Sequence, residues 1–255
     1  MFTLHLLPER TAGAAENMAL DFLLLQRYPA TTAPRFRHYG WRGPACTFGF
    51  SQKIEFVRAN LPTAEHLDLC RRPTGGGVVD HRDDWTYALV LPRGHELYDA
   101  RATQSYRIVH EGLAAALVAL GQPAGVKTVC KPAEFCGSEL ARDGSPESRA
   151  SSLPPPGPGV CFKRAELYDV VNTTTGAKIA GAAQKRNKHG LLFQGSVEKS
   201  SVGALDWDDF STRFTAALAL ALRAEAHTTP WPDLNEDEVS GLVEQYSAPE
   251  WNEYR

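Results

Sequence analysis

No stretch of this sequence approaches the roughly 18 consecutive apolar residues that would cross a bilayer, and its first twenty residues place no cationic segment ahead of a long apolar core. Neither a membrane span nor a secretory leader is expected, so the reading is a cytoplasmic protein. Charge of one sign is also lacking. Against 27 basic residues stand 30 acidic ones, a formal net charge of -3, which gives no broad field to draw nucleic acid or an anionic membrane. Cysteine is scarce: Cys46, Cys70, Cys130, Cys136 and Cys161 are odd in number, scattered, and without a CxxC pair. They read as thiols rather than disulfides, and no metal site is expected. Neither a GxxxxGK(S/T) phosphate loop nor a GxGxxG dinucleotide turn occurs.

What is present suffices for a folded domain. With 43% hydrophobic residues over 255 positions the chain can fill one large core, and a single domain over 1–255 is expected. The dense apolar pattern of residues 16–27 predicts a core helix ended by Pro29, and residues 35–49, with aromatics around Gly43 and Pro44, predict a hairpin. Residues 85–90 read as a strand and 106–120 as a helix stopped by Gly121 and Pro123. Further strands are expected at 166–171 and 191–197, with a turn at 172–176, and helices at 210–226 and 235–246. Elements in this mixed order predict an α+β fold. Residues 142–159 are almost wholly Ser, Pro, Gly and charge, a flexible loop. It is not a domain boundary, because the strands after it need partners before it.

Three segments could carry chemistry. In Arg71-Arg72-Pro73-Thr74-Gly75-Gly76-Gly77, followed by His81, three glycines let the backbone lie against a ligand and aim its N–H groups at anionic oxygens, and an arginine adds a fixed cation. On local grounds alone a flexible hairpin turn is the simpler reading. Lys178 sits among small residues that allow close approach and could neutralise a phosphoryl group or polarise an acyl carbonyl, or be a solvated turn lysine. Cys161, where the Pro/Gly loop enters the next segment, could attack a thioester if a cation lowers its pKa, with Lys163 and Arg164 near in sequence, or be a small apolar filler. His81 and His189 read equally as satisfied surface histidines.

Taken in order, the motifs resemble the lipoate-protein ligase, octanoyltransferase and biotin-protein ligase superfamily, most closely the cysteine-dependent octanoyltransferase branch. Asn17-Met18-Ala19-Leu20-Asp21 is similar to its first helix. Tyr39-Gly40-Trp41 with Pro44-Ala45 and residues 49–52 resembles its first hairpin pattern, with Thr47 at a serine position. The 71–77 segment with His81 resembles its glycine turn, and Lys178-Ile179-Ala180-Gly181-Ala182-Ala183-Gln184 its lysine segment, followed by Gln194-Gly195-Ser196. Residues 246–252 resemble the end of its catalytic domain. The resemblance implies a single catalytic domain with a mixed, mostly antiparallel sheet flanked by helices, in which the glycine turn and the lysine face each other across an acyl tunnel. Arg71, Thr74, Gly75, Gly76, Gly77 and His81, with Gly181, Ala182, Ala183 and Gln184, would bind the acyl head group. Lys178 would stabilise the oxyanion as the lysine of a lipoyl-domain carrier protein attacks, the carrier being of the 2-oxoacid dehydrogenase E2 or glycine-cleavage H type.

The resemblance leaves the donor open. In one reading Cys161 takes an octanoyl group from octanoyl-acyl carrier protein as a thioester, and no tightly bound cofactor is needed. In the other, ATP with Mg as substrate activates free lipoate, and Cys161 is a bystander. Cys161-Phe162, the Ala183-Gln184-x-Arg186 continuation and a chain that stops soon after Asn252, with no room for an accessory domain, favour the transferase. Gly77 in place of an arginine, and Lys163-Arg164-Ala165 after Cys161, favour the ligase. A third reading is a non-catalytic relative that binds a lipoyl domain or an acyl ligand. The absence of a Gly-Arg-Gly-Arg loop argues against biotin ligation.

Overall fold

The computed structural model describes residues 2–27, 33–61, 67–129 and 165–254. The 142–159 loop and Cys130, Cys136 and Cys161 fall outside them. The chain runs through strand β1 (Phe2–Ala12), helix α1 (Ala14–Gln26), strands β2 (Arg35–Trp41) and β3 (Ala45–Phe48), helix α2 (Ile54–Ala59), and strands β4 (Asp68–Arg71), β5 (Val78–Asp80) and β6 (Asp84–Pro92). Helices α3 (Glu96–Asp99) and α4 (Ala102–Ala119) precede strands β7 (Ala124–Val126), β8 (Val170–Asn172), β9 (Lys178–Asn187) and β10 (Gly190–Glu198). Helix α5 (Trp207–Ala221), strand β11 (Ala224–Thr228) and helices α6 (Glu236–Ser247) and α7 (Pro249–Asn252) complete it.

The larger sheet has the order β11-β1-β2-β6-β10-β9-β8-β7, parallel across β11, β1 and β2 and antiparallel elsewhere. A small sheet, β4-β3-β5, lies apart from it. This is the α+β, mostly antiparallel arrangement expected. Alternation along β6 explains why the large sheet is covered on both faces. Trp85, Tyr87, Leu89 and Leu91 pack with Phe36, Phe193, Val109 and Leu113 of α4, and Phe210 and Phe214 of α5. Ala88 and Val90 point the other way, to Leu24 and Leu25 of α1. The Trp85 and Phe210 rings meet edge to face at 5.0 Å, as do Tyr87 and Phe214 at 5.2 Å, the geometry that aromatic quadrupoles favour.

Several sequence expectations are corrected. Residues 35–49 do not form a hairpin: both edges of β2 are taken, by β1 and β6, so β3 leaves to pair with β4 and β5. The strand expected at 166–171 covers only Val170–Asn172, because Tyr168, at φ 67°, turns the chain and the Asp169 amide bonds the Glu166 carbonyl. The helix expected at 210–226 stops at Ala221; Arg223 takes φ 51° and the next residues pair with β1, a tertiary partner that overrides local helix propensity. Strand β1 forms over a segment for which the sequence pattern predicts no element, and it contains Pro8. In the structure Pro8 falls in the register break between Leu7 and Arg10, where no ladder N–H is required.

On its other face the sheet buries charge. The Arg37 guanidinium donates from Nε to Asp21 Oδ1 at 2.7 Å, the side chains being 1% and 0% exposed, and its Nη2 bonds the Asn17 carbonyl at 2.8 Å. Truncation strands a carboxylate without its counter-ion. Arg37→Ala is expected to cost about 3–5 kcal/mol of folding stability, read from the urea midpoint, with a far smaller loss for the exposed Arg213→Ala.

Candidate active site

The glycine turn joins β4 to β5 across the cleft from the large sheet, and the carbonyls of residues 74–77 are each taken by a donor. Thr74 O accepts from the Phe50 amide (2.8 Å), Gly76 O from Gln52 Nε2 (3.0 Å), and Gly77 O from the Gly49 amide (3.3 Å). Arg72 Nη2 donates to Gly75 O at 3.0 Å and Gly77 O at 2.9 Å. Among the described residues no acceptor bonds the amides of Gly75, Gly76 and Gly77. Gly76, at φ 90°, adopts a conformation that side chains disfavour. Gly49 is equally constrained, since a Cβ there would lie 2.1 Å from the Gly76 oxygen.

Opposite the turn is the wall made by β9 and β10. A cleft of about 420 Å³, measured to its open mouth, is lined by Arg72, Gly76, Val79 and His81 from the turn side and by Tyr39, Thr86, Gly181, Ala182, Ala183 and residues 194–196 from the sheet. A Cβ on Gly76 would approach Ala183 Cβ at 3.6 Å, so the turn and the lysine segment do face each other.

Lys178 reaches this wall through an irregularity in β9. Val170 pairs with Ala180 but Val171 with Lys178, so one extra residue is accommodated on β9. Ile179 and Ala180 both enter the core, and the parity of the strand shifts, putting Lys178 on the side of Gly181. Its Nζ would be 2.6 Å from a Cβ at Gly181, which only glycine avoids. The ammonium is 2.7 Å from Asp169 Oδ2, the two side chains being 5% and 1% exposed.

Two polar chains set the remaining groups. Thr74 Oγ1 donates to Gln194 Oε1 at 2.7 Å, and Gln194 Nε2 donates to Asp21 Oδ2 at 2.6 Å, linking the turn to the buried ion pair. His81 stacks on Trp41 at 4.1 Å and lies 2.6 Å from Asp84 Oδ2 through Nδ1 and 2.7 Å from Thr47 Oγ1 through Nε2. A carboxylate only accepts, which assigns the Nδ1 proton to His81, and Thr47 Oγ1 also accepts from Arg72 Nη1 at 2.7 Å. Asp84 also accepts from Ser196 and Thr86. Burial pushes its carboxyl up, but the His81 charge and the hydrogen bonds from His81, Ser196 and Thr86 outweigh that and hold its pKa below the usual carboxylate value.

The structure brings Gly76, His81, Gly181, Ala182 and Ala183 to the cleft and sets Lys178 against Gly181, whereas Thr74, Gly75 and Gly77 do not line it, Thr74 being buried against Gln194. It does not bring Arg71. That guanidinium, 0% exposed, donates to the carbonyls of Phe50, Gln52, Trp251 and Asn252 and so pins α7 to the root of the turn. Its neighbour Arg72 enters the cleft instead. Gln184 bonds the Ala102 carbonyl and Ser105 of α4, away from the cleft. Cys161 is outside the described residues. The buried thiols Cys46 and Cys70 are no substitutes, because burial pushes Cys46 up to about 12 and raises Cys70 as well. Sequence reasoning missed Arg72, Asp84 and Asp169. Arg72 stood inside the motif already singled out, whereas the two aspartates carried no signal beyond their charge.

Comparison with known proteins adds three findings. Residues 13–202 match the family model described as the lipoyl protein ligase A/B catalytic domain. An octanoyltransferase LipM of Halalkalibacterium halodurans is 31% identical over 72% of this chain and 61% of its own length, so the chain spans about three fifths of that relative; one from an Exiguobacterium species is 30% identical over 82% and 70%. A bipartite lipoate protein ligase from Thermoplasma acidophilum, solved in a study with its E2 lipoyl domain, superposes with a TM-score of 0.69 at 18% identity over 99% of this chain and 97% of that one, a likeness of fold.

The adjacent arginines are expected to separate on substitution. Arg71→Ala leaves four backbone carbonyls without their donor and is expected to lower folding stability by at least roughly 3 kcal/mol in urea denaturation. Arg72→Lys is expected to keep most of that stability and to lose turnover, because a lysine cannot span Thr47, Gly75 and Gly77 at once.

Proposed function

The chain belongs to the lipoyl protein ligase A/B catalytic domain family, and from that membership we propose that it transfers an octanoyl or lipoyl group to the lysine of a lipoyl-domain carrier protein, with octanoyl-acyl carrier protein as donor. One observation carries the proposal: a cleft lined on one wall by Gly76 of the glycine turn with the Arg72 guanidinium beside it and, behind the other, a buried lysine held against a glycine. The amides of Gly75, Gly76 and Gly77 and the Arg72 guanidinium would receive the acyl head group, and the Lys178 ammonium would stabilise the charge that develops on the carbonyl oxygen as an amine attacks. Among the described residues no helix is long and apolar enough to cross a membrane, and a cytoplasmic site of action, where acyl and lipoyl carriers meet, fits the proposal.

In this scheme the Cys161 thiolate attacks the donor thioester, the donor's thiol leaves, and the carrier lysine then attacks the acyl-cysteine to form an amide and return the thiol. Chain length is compatible with that role. The Glu166 amide bonds the same Asp169 oxygen that pairs with Lys178, and Cys161 stands five positions before it in sequence, a span of at most about 17 Å. No tightly bound cofactor is required. The ATP-dependent ligase reading draws on Gly77, whose amide extends the row of donors a phosphate would use; ATP and Mg would then be substrates.

The test mixes the protein with a lipoyl domain of E2 or H type and either octanoyl-acyl carrier protein or lipoate plus MgATP, and weighs the lipoyl domain. Octanoylation without ATP, lost in Cys161→Ser, is the expected result. Modification that needs ATP and survives Cys161→Ser would replace the transferase with the ligase; no product from either donor would leave a binding protein. Lys178→Ala is expected to abolish transfer in both enzymatic cases, and a variant turning over at near the normal rate would remove Lys178 from the mechanism.

A further inference from the structure

Lys178 owes its position to groups that lie outside the cleft, on helix α4 and on the turn before β8. Strand β8 pairs with β9 only as far as Val170 opposite Ala180, because Tyr168 turns away at φ 67°. The next amide along that edge of β9, Ala182 N–H, therefore has no strand to meet, although Ala182 lines the cleft. Tyr106 of α4 takes the place of the strand: its hydroxyl accepts from Ala182 N–H at 3.0 Å and donates its own hydrogen to Asp169 Oδ1 at 2.5 Å. The other oxygen of Asp169 pairs with Lys178 Nζ at 2.7 Å and accepts from the Glu166 amide at 2.7 Å.

One turn further along α4, His110 supports the same segment. Its ring packs on Tyr106 at 4.2 Å, and its Nδ1 lies 2.7 Å from the Tyr168 carbonyl. A carbonyl only accepts, so Nδ1 carries the proton. Residues four apart on a helix share a face, and these two grip both residues of the turn, Tyr106 by the side chain of Asp169 and His110 by the backbone of Tyr168.

We propose that Tyr106 is a positioning residue for acyl transfer, acting through Asp169 to hold the Lys178 ammonium at Gly181 while fixing the backbone of Ala182 in the cleft wall. The role assigned to Lys178 rests on the function proposed above; the brace itself does not. An ammonium almost excluded from water keeps one geometry only if its counter-ion is fixed, and Asp169 is fixed by the Tyr106 hydroxyl and the Glu166 amide. Removing the hydroxyl leaves the ring on His110 and the helix in place, so the loss is of geometry rather than of fold.

The experiment compares wild type, Tyr106→Phe, Asp169→Asn and the double variant in the full chain. The first readout needs no activity: labelling of Lys178 by acetic anhydride, quantified by mass spectrometry against exposed lysines such as Lys188. Tyr106→Phe is expected to raise Lys178 labelling about tenfold as the ammonium loses its fixed partner. The second readout is steady-state kinetics with whichever donor the wild type uses. Tyr106→Phe is expected to lower kcat about tenfold with KM for the donor changed less than about threefold, and the double variant to be no slower than Asp169→Asn alone, the mark of residues acting as one unit. Wild-type labelling of Lys178 in Tyr106→Phe would overturn the inference, as would losses that multiply in the double variant. If the wild type transfers nothing from either donor, the proposed function fails, and the labelling alone decides whether Tyr106 holds Lys178.

Discussion

The buried pair of Asp21 and Arg37 is the constraint on which the rest of the molecule depends. Burial raises the Asp21 pKa, and the Arg37 charge together with hydrogen bonds from Arg37 and Gln194 opposes that rise. A charge so far from water is tolerated only when its neighbours are fixed, and here they come from four parts of the chain. Asp21 and Asn17 belong to α1, Arg37 to β2 and Gln194 to β10, and through Thr74 the chain of bonds reaches the glycine turn. Asn17 extends it to the carbonyls of Ala12 and Gly40 at the ends of β1 and β2. The helix, the sheet and the turn are thus held in a single polar arrangement, and the cleft lies where they meet.

A glycine turn has no side chains with which to anchor itself. Its place is set from outside, by donors that take its carbonyls and by an arginine on either side of its root. Arg71 and Arg72 are consecutive, so they leave the chain in opposite directions. One ties the C-terminal α7 to the turn, and the other lies in the cleft. Across the cleft the bulge in β9 turns Lys178 toward Gly181, so a positive charge stands behind a wall built of glycine and alanine. Both walls use the absence of a Cβ for close approach, Gly76 to Arg72 and Ala183, and Gly181 to the Lys178 ammonium.

The sequence by itself determined much of this. The dense apolar run of α1, the strand at β6, the helix α4, the turn after Asn172 and the α+β class follow from periodicity and turn chemistry, which are local. The glycine turn and Lys178 were recognisable because three successive glycines, and a lysine among small residues, occur in an order with the other motifs that resembles one family. Tertiary structure decided what local pattern cannot carry. It set β2 and β3 in different sheets and gave residues 224–228 to a strand beside β1. It chose Arg72 over Arg71 for the cleft and supplied Asp169, Asp84 and Tyr106 as partners of Lys178, His81 and Ala182. The physical reason is common to all of these: the side of a strand to which a residue points, and the charge it meets there, depend on register with segments tens of residues away. Strand pairing sets that register, and composition and spacing along one stretch of chain do not.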